Sequence, residues 1–469
     1  MSAISSVARL LVCVAGFAGA AAAVEPAKIN VVMIVLDDQN SFALKRDLAK
    51  ELASPNIMKL AQRGVAFAHA QCAAPVCNPS RSAMFSGLRP STSGVYDNDQ
   101  GRLSPGNALE RATSLPGYFH ERGYLTAGGG KLFAASFGST VGKDVWDVTE
   151  DAATRRKGHG PRPPKESLPL NGIGKHDWGA LPEQKKEDME DWQLAGWAAE
   201  FLAQSHDKPF FLACGIVKPH TPWYVPQEYF DLFSADEIKI ADLAADESAG
   251  LPKVAREKRH RGDEELTQRR KELIAAYLAA SRYADDCIGR ILNTLDVSPY
   301  RDNTVVVICG DHGYHFGEKN HWSKGTLWEE SAQTPLVVAG PGVVAGQVCK
   351  HPVSLIDIYP TLLELAHLPP NANVDGASFA PLCIEPAMTW ERPALTTAGY
   401  QNHALRNDRW RYIRYADGSE ELYDHNHDPL ERTNLADRSE SAPIIQDLRK
   451  WLPKHDEPRA KPLSQGRDE

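Results

Sequence analysis

The sequence is short of positive charge. Lys and Arg total 52 against 61 Asp and Glu, a formal net charge of −9. That balance argues against a general nucleic-acid-binding surface, and a chain of this sign that handles an anion must gather its cations locally. A membrane-length apolar run is missing too: Leu10 to Ala20 is too short to span a bilayer. No cysteine spacing suggests a zinc site, and no internal repeat is visible. There is no Asn-x-Ser/Thr sequon free of Pro, which favours a bacterial envelope over a eukaryotic secretory route.

What is present reads as an exported protein. Arg9 is the sole charge before Glu25, and Ala21-Ala22-Ala23 offers small residues for cleavage after the apolar stretch. Residues 1–23 therefore read as a signal peptide, with a retained anchor as the other reading. Removing it takes the net charge to about −10 and leaves no membrane span. The expected location is periplasmic or extracellular. Of the eight cysteines, Cys214, Cys287 and Cys309 sit in apolar or helical runs and read as small core residues. Pairing of the others cannot be read from spacing.

Strands alternate with helices along the 469 residues, which predicts an α/β sheet flanked by helices. Val31 to Leu36, Phe210 to Val217 and Thr304 to Cys309 are continuous apolar runs, the mark of buried parallel strands. Tyr124 to Gly128 and Pro335 to Ala339 are further strands. Helices are predicted over Asn56 to Gln62, Leu115 to Arg122, Arg269 to Leu295 and Ile356 to Ala366. The three runs give way to Asp37-Asp38, to Lys218-Pro219-His220 and to Gly310-Asp311-His312. Open α/β sheets bind ligands beyond the carboxyl ends of their strands, so these segments should converge on one edge.

The segment Cys77-Asn78-Pro79-Ser80-Arg81 places a thiol at the mouth of a predicted helix, with Arg81 one turn along. A helix N-terminus attracts anions and is expected to lower the thiol pKa. The alternative is a buried Cys before an ordinary helix. Two acidic clusters at strand ends, Asp37-Asp38 and Asp311, suit a hard divalent cation, although a single such pair is more often a cap or turn. Lys131 after Gly128-Gly129-Gly130, His220 and Lys324 are candidate anion-facing residues, each alone also readable as a solvated surface group.

Together, Cys-x-Pro-Ser-Arg and the later Ser86-Gly87 resemble the signature of the type I, formylglycine-dependent sulfatases of the alkaline-phosphatase superfamily. The resemblance runs from about Asn30 to Ala436. It includes Tyr283-Ala284-Asp285-Asp286 in the long helix, and Glu421-Leu422-Tyr423-Asp424 with Asp428-Pro429 near the C-terminus. Val95-Tyr96-Asp97 and Val217-Lys218-Pro219-His220 are similar to the iduronate-2-sulfatase branch. The resemblance implies a large, mixed but mostly parallel sheet with a smaller C-terminal α+β subdomain. It also implies that Cys77 is oxidised to formylglycine by a maturation enzyme. It assigns Asp37, Asp38, Asp311, His312 and modified Cys77 as ligands of Ca²⁺ (Mg²⁺ less so). His312 is an unusual ligand for calcium, and the resemblance leaves it either ligating the ion or only lining the site. Arg81 would orient the ligands, Lys131 and Lys324 would contact sulfate, and His220 would protonate the leaving oxygen.

One position departs from the family. The His that follows the Gly-Lys motif, thought to deprotonate the hydrated aldehyde and eject sulfate, falls on Ala134 in this chain. His315 or His321 could substitute, or both could be surface residues. Residues 24–388 read as the catalytic domain and 389–469 as the C-terminal subdomain, with antiparallel strands and a polar, mobile tail after Pro453. Thr154 to Glu190 reads as an insertion loop over the site, and Asp236 to Arg270 as a charged, solvated segment. The function expected is hydrolysis of sulfate esters on a sulfated poly- or oligosaccharide, with a 2-sulfated uronic acid implied by the iduronate-type branch. A phosphodiesterase or phosphonate monoester hydrolase of the same superfamily and a non-catalytic binder of sulfated glycan are the rivals.

Overall fold

The computed structural model describes residues 28–41, 53–102, 108–133, 145–150, 162–172, 176–240, 243, 250–257 and 264–462. The signal segment and Ala134 lie outside them. Among the described residues no helix is long and apolar enough to cross a membrane. Cys72, Cys77, Cys214, Cys287, Cys309, Cys349 and Cys383 are all free and buried.

The apolar runs become strands buried on both faces. The main sheet comprises β1 (Asn30–Leu36), β2 (Gly64–Phe67), β3 (Leu125–Gly130), β4 (Val148–Thr149), β5 (Phe210–Ile216), β6 (Thr304–Gly310), β7 (Leu336–Ala339) and β8 (Gln347–Cys349). Their order is β8-β2-β7-β6-β1-β5-β3-β4. Only β7 runs against the others, antiparallel to both β6 and β2. The two-residue period of a strand sends Val32, Ile34 and Leu36 into one core and Val31, Met33 and Val35 into the other. The first core is roofed by α2 (Glu190–Ala203) and the 28-residue α3 (Arg270–Val297), whose apolar face recurs at helical spacing. The second is closed by α1 (Cys77–Ser86) and α4 (Ile358–Leu365).

A second sheet of four antiparallel strands follows: β9 (Ala394–Thr397), β10 (His403–Arg406), β11 (Trp410–Arg414) and β12 (Glu420–Asp424). It docks on the main body through buried charge. Arg411 pairs with Glu329, reaches Glu431 at 2.7 Å, and donates to the Leu327 carbonyl at 2.9 Å and to Gln71 at 2.8 Å. His425 lies 2.9 Å from Glu431.

Two segments depart from the sequence reading. Within the expected insertion loop, Trp178–Leu181 is a strand that pairs in parallel with Trp223–Pro226, because its apolar side chains find a core beside α3. The tail after Pro453 is not loose as far as residue 462. Glu457 N–H donates to the Ser91 carbonyl at 2.7 Å, and Ala460 N–H to Gly94 at 2.9 Å. Tyr96 hydroxyl donates to the Glu457 carbonyl at 2.8 Å, and Lys461–Pro462 pairs with Gln100–Arg102. Polar composition did not prevent docking, because these bonds run through the tail's backbone.

Candidate active site

The strand ends converge. Asp37 N–H donates to the Ile216 carbonyl at 3.1 Å and Asp311 N–H to the Leu36 carbonyl at 3.0 Å, so the turns after β1, β5 and β6 are laced together. Asp38 adopts a left-handed backbone, φ 61°, which Asp tolerates better than most residues, and its N–H donates to Asp311 Oδ1 at 3.0 Å. At the end of β3, a Cβ on Gly130 would lie 2.2 Å from the Gly215 carbonyl oxygen. Glycine there lets Lys131 N–H reach that same oxygen at 2.7 Å and brings Lys131 to the edge of the site.

Cys77 opens α1 from the other side of the edge. Its Sγ lies 3.1 Å from Lys324 Nζ, 3.9 Å from Lys131 Nζ and 3.4 Å from His312 Nε2. Lys131 Nζ reaches Asp37 at 2.5 Å, and Lys324 pairs with Asp38. Arg81, fully buried one turn into α1, donates to Asp311 at 2.9 Å, to Asp37 at 3.3 Å and to the Lys131 carbonyl. His220 Nδ1 donates to the Thr221 carbonyl at 2.6 Å, which leaves Nε2 toward Asp38 at 3.9 Å. Every sequence-predicted site residue is therefore gathered within this one cluster.

Electrostatics explain why so many charges tolerate burial. Desolvation raises the Asp37 pKa, but Lys131, His220, Arg81 and Lys324 outweigh it and hold the carboxyl well below its usual range. Asp38 is likewise raised by burial and brought down to about 2 by Lys324, His220 and His312. Burial alone would lower Arg81, Lys131 and Lys324, yet their carboxylate partners hold all three above their ordinary values. Cys77 goes the opposite way from the helix-terminus expectation. Burial, aided by Asp37, pushes the thiol up to about 12 despite Lys324 and Lys131.

Two carboxylates, a thiol and an imidazole come close enough together to hold a metal ion. Asp37, Cys77, Asp311 and His312 each offer a ligand atom within 4.8 Å of one another, and Asp38 joins Cys77 and His220 in an overlapping group. His312 Nδ1 donates to the Gly313 carbonyl at 3.0 Å, and burial lowers its pKa. Its Nε2 is consequently an acceptor, facing Asp38 at 3.3 Å and Asp311 at 3.5 Å. A lone pair pointed at two carboxylates is the arrangement a cation resolves.

Neither candidate for the missing His occupies the surface. His315 is fully buried, contacts Thr326 at 2.9 Å and is lowered to about 3 by burial. His321 lies 3.1 Å from the Lys324 carbonyl, where it positions the lysine's backbone. The sequence reading also overlooked Asp191, which accepts from Val217 N–H at 2.8 Å and Lys218 N–H at 2.9 Å and so pins the turn that carries His220. Lys218 itself is buried, donates to the Pro222 carbonyl at 2.5 Å and braces that turn. Nothing local in the sequence marks Asp191 for this task.

An α/β sheet with cations, carboxylates and a residue at a helix mouth gathered at one edge defines a hydrolase of oxyanion esters. The sulfatase family matches residues 29–368, and the N-sulphoglucosamine sulphohydrolase C-terminal family matches 317–457. The chain belongs to the sulfatase family and is a sulfuric ester hydrolase. It is 36% identical over 453 residues to a sulfatase of Formosa agariphila, covering 91% of this chain and 87% of that one. It is 29% identical over 396 residues to human iduronate 2-sulfatase, covering 74% and 70%. The fold is shared with the phosphonate monoester hydrolase of Agrobacterium radiobacter at a TM-score of 0.71 and 22% identity, covering 90% of this chain and 94% of that one.

Proposed function

We propose that this sulfatase is exported and hydrolyses sulfate esters of a sulfated poly- or oligosaccharide, with residue 77 matured to formylglycine and calcium at the strand ends. The observation that carries the reading is Cys77 Sγ standing 3.1 Å from Lys324 Nζ and 3.4 Å from His312 Nε2, at the edge where the Asp37, Asp38 and Asp311 side chains meet. Formylglycine supplies a hydrated aldehyde as nucleophile, and calcium, held by Asp37, Asp38, Asp311, His312 and residue 77, supplies charge neutralisation.

The chain's own residues do the rest. Arg81 ties Asp37 to Asp311 and, with Lys131, helps hold the Asp37 carboxyl well below its usual range. Lys131 and Lys324 present fixed positive charge to the sulfate oxygens as negative charge grows there. His220, with Nδ1 anchored on Thr221, delivers a proton from Nε2 to the departing sugar oxygen. Burial and Asp37 raise the Cys77 pKa and so disfavour the nucleophilic thiolate, which supports conversion of Cys77 before it acts. The partner this requires is a formylglycine-generating enzyme. The likeness to iduronate 2-sulfatase supports a sulfated sugar as substrate, with a 2-sulfated uronic acid as the first compound to try.

The test is hydrolysis of matched aryl sulfate, phosphate and phosphonate esters by protein co-produced with a maturation enzyme. Sulfate turnover falling by about 10⁴-fold or more in Cys77→Ala is the expected result. Preference for phosphate or phosphonate moves the protein to the phosphohydrolase reading. Failure on all three esters, with formylglycine confirmed by mass at position 77, favours the glycan binder.

A further inference from the structure

A cleft of about 410 Å³ is lined by chain neighbours of two residues of the site. Val76 and Gly325 line its floor, each adjoining a residue of the site, Cys77 and Lys324. Its walls come from elsewhere: Tyr96 and Asp97 follow α1, Tyr400 belongs to the turn between β9 and β10, and Arg459 belongs to the docked tail. The volume falls within the range of small-molecule sites, roughly 300–1,000 Å³.

The wall chemistry is specific. Tyr400, 37% exposed, packs edge to face on the buried Tyr96 at 5.9 Å and so presents a fixed aromatic ring to a sugar. Arg459 pairs with Asp97, and the two side chains remain 55% and 40% exposed. Ion pairs this open to water are weak, so the guanidinium can be claimed by a better-placed anion. The backbone that carries Arg459 is held firmly. A Cβ on Gly94, φ 72°, would lie 2.5 Å from the Pro458 carbonyl oxygen, so the tail sits where only glycine admits it. Gln100 Nε2 fixes the Ala460 carbonyl at 2.6 Å from the other side.

We propose that this cleft seats the sulfated sugar and that Arg459, delivered by the C-terminal tail, selects sugars bearing a carboxylate by exchanging Asp97 for that group. Guanidinium pairs with carboxylate bidentately, a geometry a neutral sugar cannot return. The proposal rests on the sulfatase reading, and the experiment separates the two.

With the full, matured protein, kcat and KM are measured on an aryl sulfate, on a disaccharide ending in 2-sulfated hexuronic acid, and on its carboxyl-reduced counterpart. Wild type is expected to favour the acid over the reduced sugar at least tenfold in kcat/KM. Arg459→Ala is expected to erase that preference through KM while leaving aryl sulfate turnover within about twofold. Asp97→Asn, which removes the competing carboxylate, should lower KM for the acid alone. An equal loss on all three substrates in Arg459→Ala, or a wild type that hydrolyses aryl sulfate without preferring the acid, overturns the proposal and leaves the sulfatase standing. Failure of wild type on aryl sulfate and both sugars overturns the sulfatase reading itself.

Discussion

Two buried clusters of opposite charge lie in this protein, and they are built for different ends. At the docking face of the second sheet, Arg411 sits between Glu329 and Glu431, with its remaining donors on Leu327 and Gln71. Its fork is consumed by protein. At the strand ends, Arg81, Lys131 and Lys324 face Asp37, Asp38 and Asp311, but Lys131 and His220 keep 28% and 23% of their side chains exposed. Three positive and three negative groups balance there without a metal, so a divalent cation would tip the site positive, the sign an anionic ester requires. A closed cluster holds parts together, whereas an open one holds charge ready for a visitor.

Replacing the two buried arginines breaks the comparison most sharply. Arg81→Ala and Arg411→Ala each remove a buried guanidinium shared by two carboxylates, and each should cost about 3–5 kcal/mol of stability by denaturant titration. Only Arg81→Ala should also lower kcat/KM of the remaining folded protein, by about 10³-fold or more, with Arg411→Ala within a few-fold of wild type.

Metal removal sharpens the same contrast at a smaller scale. Chelation should lower aryl sulfate turnover by roughly 10²–10³-fold, reversed by added calcium. Although Glu329, His425 and Glu431 also stand close enough to hold an ion, Arg411 already occupies their charge. Glu431→Gln should therefore leave the metal content by elemental analysis at one per chain, whereas Asp311→Asn should reduce it.

The smallest effect concerns the exposed rim. His220→Ala should slow a sugar sulfate by about 10²-fold but 4-nitrophenyl sulfate much less, because a good leaving group needs no proton. Equal losses on both would assign His220 to binding instead.

Local pattern made much of this legible. Strands β1, β5 and β6 were readable because burial on both faces demands unbroken β-branched runs, and the polar residues that end them announced the active edge. The sense of β7 was not readable, since Leu336–Ala339 is as apolar as a parallel strand. Cys77 misled because a helix terminus is visible in sequence and depth is not; burial outweighed the dipole. Glu329 with Arg411, and Arg459 with Asp97, were invisible because partners separated by 82 and 362 positions leave no periodic trace.

The tail's grip on residues 91–102 also sets an order in time. Helix α1 is buried along its whole length, and Cys77 retains only 5% exposure. The docked segment that carries Arg459 walls the cleft lined by Val76, the neighbour of Cys77. On the proposed maturation, an enzyme that converts Cys77 must reach it before α1 is buried and residues 456–462 dock.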